Sequence, residues 1–245
     1  MAVITGAGQG IGKAYANRLA EEGAKVVIAD INEANANSVA NSLINNGMEA
    51  TAITVDVSNK ESVQSMVNKV VEKYGKVDIL VNNAAIFSNI QLKPFEELTI
   101  DEWDQTMAVN LRGPLLCCQA VIPHMKKQKS GRIINISSGT IFMGMPNYLH
   151  YVTSKAGVVG FTRALAREVG DYGVTVNTLC PGSTMTEISR DPEMIRRKKE
   201  LVKDLCIKKI QEPEDLVGTL AYLASDDAGF VTGQMINVDG GWMMH

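Results

Sequence analysis

Short, β-branched and almost wholly apolar runs recur along the chain, each bounded by glycine, asparagine or aspartate. They are AVIT (2–5), KVVIAD (25–30), TAITVDV (51–57), VDILVNN (77–83), RIINISS (132–138), VTVNTLC (174–180) and QMINVDGG (234–241). Runs of this length and composition predict strands, and their near-continuous apolar character implies burial on both faces. Between them the spacing of apolar positions turns helical, as in GKAYANRLAEEG (12–23), KESVQSMVNKVVEKYG (60–75) and SKAGVVGFTRALAREVG (154–170). Strand and helix in alternation predict an α/β fold: a doubly wound, seven-stranded parallel sheet with helices on both faces. No Pro/Ser-rich linker or charge block divides residues 1–245, so the chain reads as a single domain with ample core.

Composition narrows the function. The 24 basic and 27 acidic residues leave a net charge of −3, too weak a field to recruit nucleic acid or an anionic membrane surface, so a small-molecule partner is expected. Apolar stretches such as VVIA (26–29) fall far short of the ~20 residues a membrane-spanning helix requires. MAVITGAGQG carries no basic and long apolar leader pattern, and the expected location is the cytoplasm. The 4 cysteines match neither a disulfide framework nor a zinc spacing, and with 3 histidines no metal site is expected. The cysteines read as small buried apolar residues.

The first strand runs directly into TGAGQGIG (5–12) and then a helix. This is not a P-loop, because Ala7 and Ala14 stand where that motif needs Gly and a hydroxyl; nor is it G-x-G-x-x-G, because Lys13 replaces the third glycine. The spacing is Gly6, Gly10, Gly12. The physical need is nonetheless shared: a turn without Cβ atoms lets backbone approach a pyrophosphate at a helix N-terminus, whose amides and dipole favour negative charge. Asp30 closes the second strand 18 residues after Gly12, where a dinucleotide-binding Rossmann-type fold meets the adenosine ribose. A carboxylate there accepts ribose hydroxyls and repels a 2′-phosphate, and no Arg or Lys follows in INEANAN (31–37), which favours NAD over NADP. The plainer role for Asp30 is a cap or turn residue at the strand end.

These motifs, with Asp56 after the third strand, NNAA (82–85), Asn110 in a long helix, Ser138 ending NISS, YVTSK (151–155), PG (181–182) and the late DGG, resemble the short-chain dehydrogenase/reductase family over essentially the full chain. The resemblance implies a catalytic tetrad of Asn110, Ser138, Tyr151 and Lys155. It also implies cofactor contacts at Gly6, Gln9, Gly10, Ile11 and Gly12 for the pyrophosphate, and at Asp30 and Ile31 for the ribose. Asp56 and Val57 would lie at the adenine, Asn82 and Ala84 on the adenosine side, and Pro181, Gly182, Thr184 and Thr186 near the nicotinamide and its phosphate. Lys155 would also hydrogen-bond the nicotinamide ribose, and Asn110 would hold a water linking Lys155 to solvent. Relatives are mostly homotetramers built through two long helices (about 102–126 and 151–169) and the last strand. Two departures stand out: Ala85 replaces the usual Gly, and the first strand is short, as in a chain truncated at its start.

The chemistry behind the Tyr/Lys pair is elementary. A phenol with a reference pKa of ~10 is a poor base at neutral pH. Lys155, one helical turn from Tyr151 and on the same face, places a cation beside it and favours ionisation. Tyr151 then exchanges the hydroxyl proton while a hydride moves between substrate carbon and nicotinamide. Ser138 would polarise the substrate oxygen. Ser137 is the alternative, since successive strand residues face opposite sides and only one of the two points into the cleft.

Residues expected around the reacting carbon, besides Ser138, are Ile86, Phe87, Ile141, Met143, Met145, His150, Met185 and Ile188, mostly apolar. They suit a ketone or secondary alcohol with a hydrophobic substituent, an aromatic one included. Residues 184–212, rich in Met and charge after the sixth strand, read as a substrate lid. A 3-oxoacyl-thioester reductase using NADPH is the competing activity in the same family; Tyr172, beside Asp171, stands where those enzymes carry a basic residue for an acidic carrier protein. RRKK (196–199) is either a dock for a phosphorylated or carrier-bound substrate or a solvated helix face. A dinucleotide-binding regulator without turnover would have no use for Ser138 and Tyr151.

Overall fold

The computed structural model describes residues 1–88, 90–188 and 192–244. Seven strands form one sheet: β1 (Ala2–Thr5), β2 (Val26–Asp30), β3 (Ala50–Thr54), β4 (Ile79–Asn82), β5 (Gly131–Ile136), β6 (Val174–Pro181) and β7 (Met235–Val238). All pairings are parallel and the order is β3-β2-β1-β4-β5-β6-β7. The order reverses between β1 and β4, and the crevice beyond the carboxyl ends of those two strands is where such sheets take ligands. Two predicted strands run past the observed ends: β3 stops at Thr54 and β5 at Ile136, because residues 55–57 and 137–138 leave the ladder to line the crevice.

Alternation along each strand divides the core. Ala2, Ile4, Val26 and Ile28 face α1 (Gly10–Glu21), α2 (Glu33–Asn45) and α9 (Glu214–Ala224), packing on Tyr15, Leu19, Val39, Leu216 and Leu220. Val3, Val27 and Ala29 face the other way, onto Val63, Met66 and Val70 of α3 (Lys60–Tyr74) and onto Cys117, Val121 and Met125. Each fully buried aliphatic side chain contributes about 1.5–3 kcal/mol, so both layers hold firmly. Two helices start where a side chain supplies a missing acceptor: Asn32 caps α2 by accepting from Asn35 N, and Asn59 caps α3 by accepting from Ser62 N. Cys117, Cys118 and Cys180 are buried as expected, whereas Cys206 is exposed.

The long helix expected at about 102–126 is interrupted. α4 (Ile100–Met107) passes through a π turn at Ala108–Arg112 into α5 (Gly113–Gln128). Such turns insert an extra residue and re-aim side chains. α6 (Thr140–Met143) is a single turn, α7 (Leu149–Val169) spans 21 residues, and α8 (Pro192–Leu201) follows β6. Among the described residues no helix is long and apolar enough to cross a membrane.

Candidate active site

The glycine turn is locked to the end of β4. Gly6 has φ +64°, and a Cβ there would sit 2.7 Å from Ala84 Cα; a Cβ on Gly12 would sit 2.2 Å from the Gly6 carbonyl oxygen. Neither position admits a side chain. The Thr5 hydroxyl accepts the amides of Asn83 and Ala84, both at 3.1 Å, and Asn83 Nδ2 donates to the carbonyls of Thr5 and Gly6, both at 3.0 Å. Backbone and side chain thus hold the crevice open at the point where strand order reverses. α1 begins at Gly10 with no capping bond from the side chain of Gln9 before it, so the amides of its first turn need acceptors from outside the helix.

Asp30 sits at the rim. Its Oδ2 accepts from Gly8 N at 2.8 Å and its Oδ1 from Asn32 N at 2.9 Å, which fixes the carboxylate beside the glycine turn. The turn-residue role and a ligand-binding role coexist, because each carboxylate oxygen has a second lone pair. Asp56 is fixed likewise by Ser58 N and Oγ, at 2.9 and 2.7 Å.

At the far end lie Tyr151 and Lys155, one turn apart on α7 and both buried. Lys155 Nζ is 5.8 Å from the Tyr151 ring centroid and donates to the Ile136 carbonyl at 2.8 Å. The Ser138 side chain neighbours the Tyr151 hydroxyl and favours its ionised form. Ser138 Oγ also accepts from Thr140 N at 3.2 Å, while Ser137 Oγ turns back to the Lys155 carbonyl at 2.8 Å; Ser138, not Ser137, meets the tyrosine.

Burial dominates the titration of this pair. It pushes the Tyr151 phenol up to about 12, against the opposing pull of the Ser138 side chain, and drives the Lys155 ammonium down to about 8. The expectation that Lys155 lowers the phenol pKa is therefore outweighed here: desolvation disfavours both charged forms more than the cation favours the phenolate.

Asn110 sits on the π turn, behind the tyrosine. Its Oδ1 accepts from Ile86 N at 2.8 Å, and its Nδ2 donates to Ile86 O and to Ser154 Oγ, both at 3.2 Å. Ser154 Oγ in turn donates to the Tyr151 carbonyl at 2.7 Å. Asn110 is buried and does not line the crevice; it reaches the site through Ile86 and Ser154.

The crevice is a single cleft of about 700 Å³. Gly6, Gln9, Gly10, Ile11, Gly12, Asp30, Ile31, Asp56, Val57, Ala84, Ser138, Tyr151, Lys155, Pro181, Gly182, Thr184 and Thr186 line it, as do Ile86, Phe87, Met143, Met145 and Ile188. Besides Asn110, four expected residues do not line it: Asn82, Ile141, His150 and Met185. Asn82, the last residue of β4, points within the sheet, its Nδ2 donating to Asn135 Oδ1 at 2.8 Å, and Asn83 takes the cleft position. Met185 faces away because Thr184 and Thr186, on either side of it in an extended segment, face in; its amide donates to Gln211 O at 2.8 Å. His150 is turned around the helix from Tyr151 and lines a separate small hollow with Lys93 and Phe95.

Phe87, expected beside the reacting carbon, lines the cleft; Tyr148 and Trp242, which also line it, escaped the sequence. Phe87 packs against Tyr151 and Tyr148 with centroid separations of 4.9 and 6.0 Å, making an aromatic wall beside the reactive hydroxyl. Trp242 reaches the cleft because the buried Asp239 carboxylate accepts the amides of Gly241, Trp242 and Met243 and folds the chain end inward. Phe87 lay in the right motif; Trp242 is 91 residues from Tyr151 and carried no local signal.

Comparison with known proteins gives the ancestry. The family described as enoyl-(acyl carrier protein) reductase matches residues 6–243. A 3-oxoacyl-[acyl-carrier-protein] reductase of Synechocystis is 38% identical, with 100% of this chain and 97% of that protein covered. The (2S)-[(R)-hydroxy(phenyl)methyl]succinyl-CoA dehydrogenase subunit BbsD of Thauera aromatica is 41% identical, over 98% of this chain and 95% of its own. The crystal structure of a gluconate 5-dehydrogenase from Burkholderia cenocepacia, in complex with NADP and tartrate, superposes with a TM-score of 0.90 at 34% identity, covering 98% of this chain and 94% of that one. The chain belongs to the short-chain dehydrogenase/reductase family.

Members of the family are oxidoreductases that bind a nicotinamide dinucleotide, and the residues present here fit that group. A Cβ-free turn, the first-turn amides of α1, a carboxylate at the end of β2 and a buried Tyr/Lys pair line one continuous cleft.

Proposed function

We propose that the protein transfers a hydride between NAD(H) and a secondary alcohol or ketone bearing an apolar, aromatic substituent. The observation that carries the reading is the buried Tyr151, beside Ser138 and Lys155 in the cleft and flanked by the rings of Phe87 and Tyr148. The bound nicotinamide supplies or takes up the hydride. In reduction, Tyr151 gives its proton to the substrate oxygen while the Ser138 hydroxyl hydrogen-bonds the same oxygen; in oxidation the proton returns. Lys155 keeps positive charge beneath the phenol, and Asn110 with Ser154 holds Tyr151 in register. Phe87, Met143 and Met145 exclude water from the reacting carbon.

NAD rather than NADP is favoured by Asp30, whose carboxylate stands where a 2′-phosphate would approach. The aromatic substituent is supported by the Phe87–Tyr148 wall, and by the name of the Thauera relative, which describes a phenyl carbinol. Of the proposed lid, residues 184–188 and 192–212 are described and contribute Thr184, Thr186, Ile188, Lys198 and Leu201 to the cleft lining, and residues 189–191 lie outside the described residues. Assembly is a homotetramer through α4–α5, α7 and β7, which light scattering tests. A second reading, reduction of a 3-oxoacyl thioester with NADPH, is favoured by the 38% identity to the Synechocystis enzyme. Absorbance at the nicotinamide band decides: 1-arylethanols with NAD, against a 3-oxoacyl thioester with NADPH. Faster turnover of the thioester with NADPH overturns the first reading, and dinucleotide binding without turnover of any substrate points to a regulator.

A further inference from the structure

The segment that leaves β6 lies directly on the glycine turn. Thr186 Cγ2 and Ile188 Cδ1 stand 3.8 and 3.2 Å from the position a Cβ on Gly10 would occupy. Between those two residues, Glu187 Oε1 accepts the Gly10 amide at 2.9 Å, a contact between positions 177 residues apart. Gly10 belongs to one wall of the cleft, Thr186 and Ile188 to the other. This bond therefore ties the two walls together.

The donor is one of few. Lys13 N returns to Gln9 O, so the amides of Gly10, Ile11 and Gly12 precede the first intrahelical bond of α1. Glu187 takes the first of the three and leaves the amides of Ile11 and Gly12 for a phosphate. The helix end and Lys13 both favour the charged carboxylate: although partial burial raises its pKa, the Gly10 amide and Lys13 together hold it below the ordinary value. A carboxylate so placed closes the cleft without filling the phosphate locus.

We propose that Glu187 is a latch, a positioning residue whose carboxylate ties residues 184–188 to the N-terminus of α1 and so limits how fast a dinucleotide enters and leaves. The inference rests on the dinucleotide-binding reading above. A latch acts on both directions of exchange. A competitor for the phosphate locus would slow entry alone, and a residue that merely touched bound cofactor would slow exit alone.

Stopped-flow fluorescence of NADH with the wild type, Glu187→Ala and Glu187→Gln separates these. Glu187 is exposed, so both variants are expected to keep the wild-type melting temperature. In Glu187→Ala the association and dissociation rate constants both rise, each by about fivefold, with Kd changing less than either. Glu187→Gln, which keeps an acceptor for the Gly10 amide but not the charge, falls between. A rise in association alone, a rise in dissociation alone, or unchanged rates overturns the latch. A wild-type protein that binds no dinucleotide overturns instead the reading on which it rests.

Discussion

Lys155 Nζ lies 5.8 Å from the centre of the Tyr151 ring and donates its hydrogen bond not to the phenol but to the Ile136 carbonyl at 2.8 Å. Burial dominates the titration of the phenol and holds it protonated. Activation of Tyr151 as a base therefore depends on positive charge brought close to it, which an oxidised nicotinamide ring would supply. Tyr151→Phe removes the hydroxyl proposed to move the proton and is expected to lower turnover by at least about 10²-fold while leaving NADH affinity within about twofold. Steady-state kinetics with a fluorescence titration checks both halves, and retained turnover would displace Tyr151 from its role.

The buried ammonium costs stability. Its folded pKa, about 8, lies below the 10.5 of the unfolded chain, so between those values the unfolded state binds more protons and stability rises with pH. Below pH 8 the full penalty, on the order of 3 kcal/mol, is present. Lys155→Met removes it at the loss of one hydrogen bond to Ile136 O, about 1 kcal/mol. The variant is expected to melt about 5 °C higher at pH 7, with a flatter dependence between pH 8 and 10.5 and almost no turnover. Calorimetry across that range checks the sign.

Ser154 joins two residues the sequence pointed to separately. Its hydroxyl donates to the Tyr151 carbonyl at 2.7 Å and accepts from Asn110 Nδ2 at 3.2 Å. Ser154→Ala leaves that amide hydrogen without its acceptor in a fully buried place and loosens the π turn against α7. The expected result is a fall of about fivefold in kcat with the KM for NADH little changed, and an altered kcat against pH profile. Ser154→Thr, which keeps the hydroxyl, should restore much of the rate if the chain bends to admit its methyl. A uniform loss of stability with an unaltered pH profile would make Ser154 structural only.

The sheet was legible because a parallel strand buried on both faces is mostly apolar, as AVIT and VVIA are; the polar Asn177 and Thr178 of β6 are tolerated because they hydrogen-bond to Val231 O and Thr162 Oγ1. The glycine turn, Asp30 and Ser138 were legible for a related reason: each adjoins a strand end, and strand ends converge; Tyr151 and Lys155, within α7, were legible from the YVTSK motif. What the sequence concealed lay in side-chain direction. Asn82 and Met185 occupy recognisable motifs but face away, an outcome that strand alternation around Asn83, Thr184 and Thr186 could have signalled. Trp242 needed the Asp239 turn, and the balance of burial against charge at Tyr151 needed the depth of the site.

Asp30 is the proposed basis of a preference for NAD. Both carboxylate oxygens are already tied to backbone amides, of Gly8 and Asn32, so the group is held rigidly rather than free to swing from a phosphate. A 2′-phosphate would meet this fixed negative charge, and residues 31–37 offer no Arg or Lys to compensate. Asp30→Asn keeps an oxygen for one amide while removing the charge, and is expected to lower the NAD:NADP ratio of kcat/KM by at least about tenfold, chiefly by improving NADP. Loss of the Gly8 contact should cost NAD little, because the glycine turn stays anchored by Thr5 and Asn83. Kinetics with both cofactors measures the ratio; a wild type that prefers NADP, or a variant whose ratio does not move, would show that the charge at the end of β2 does not select the cofactor.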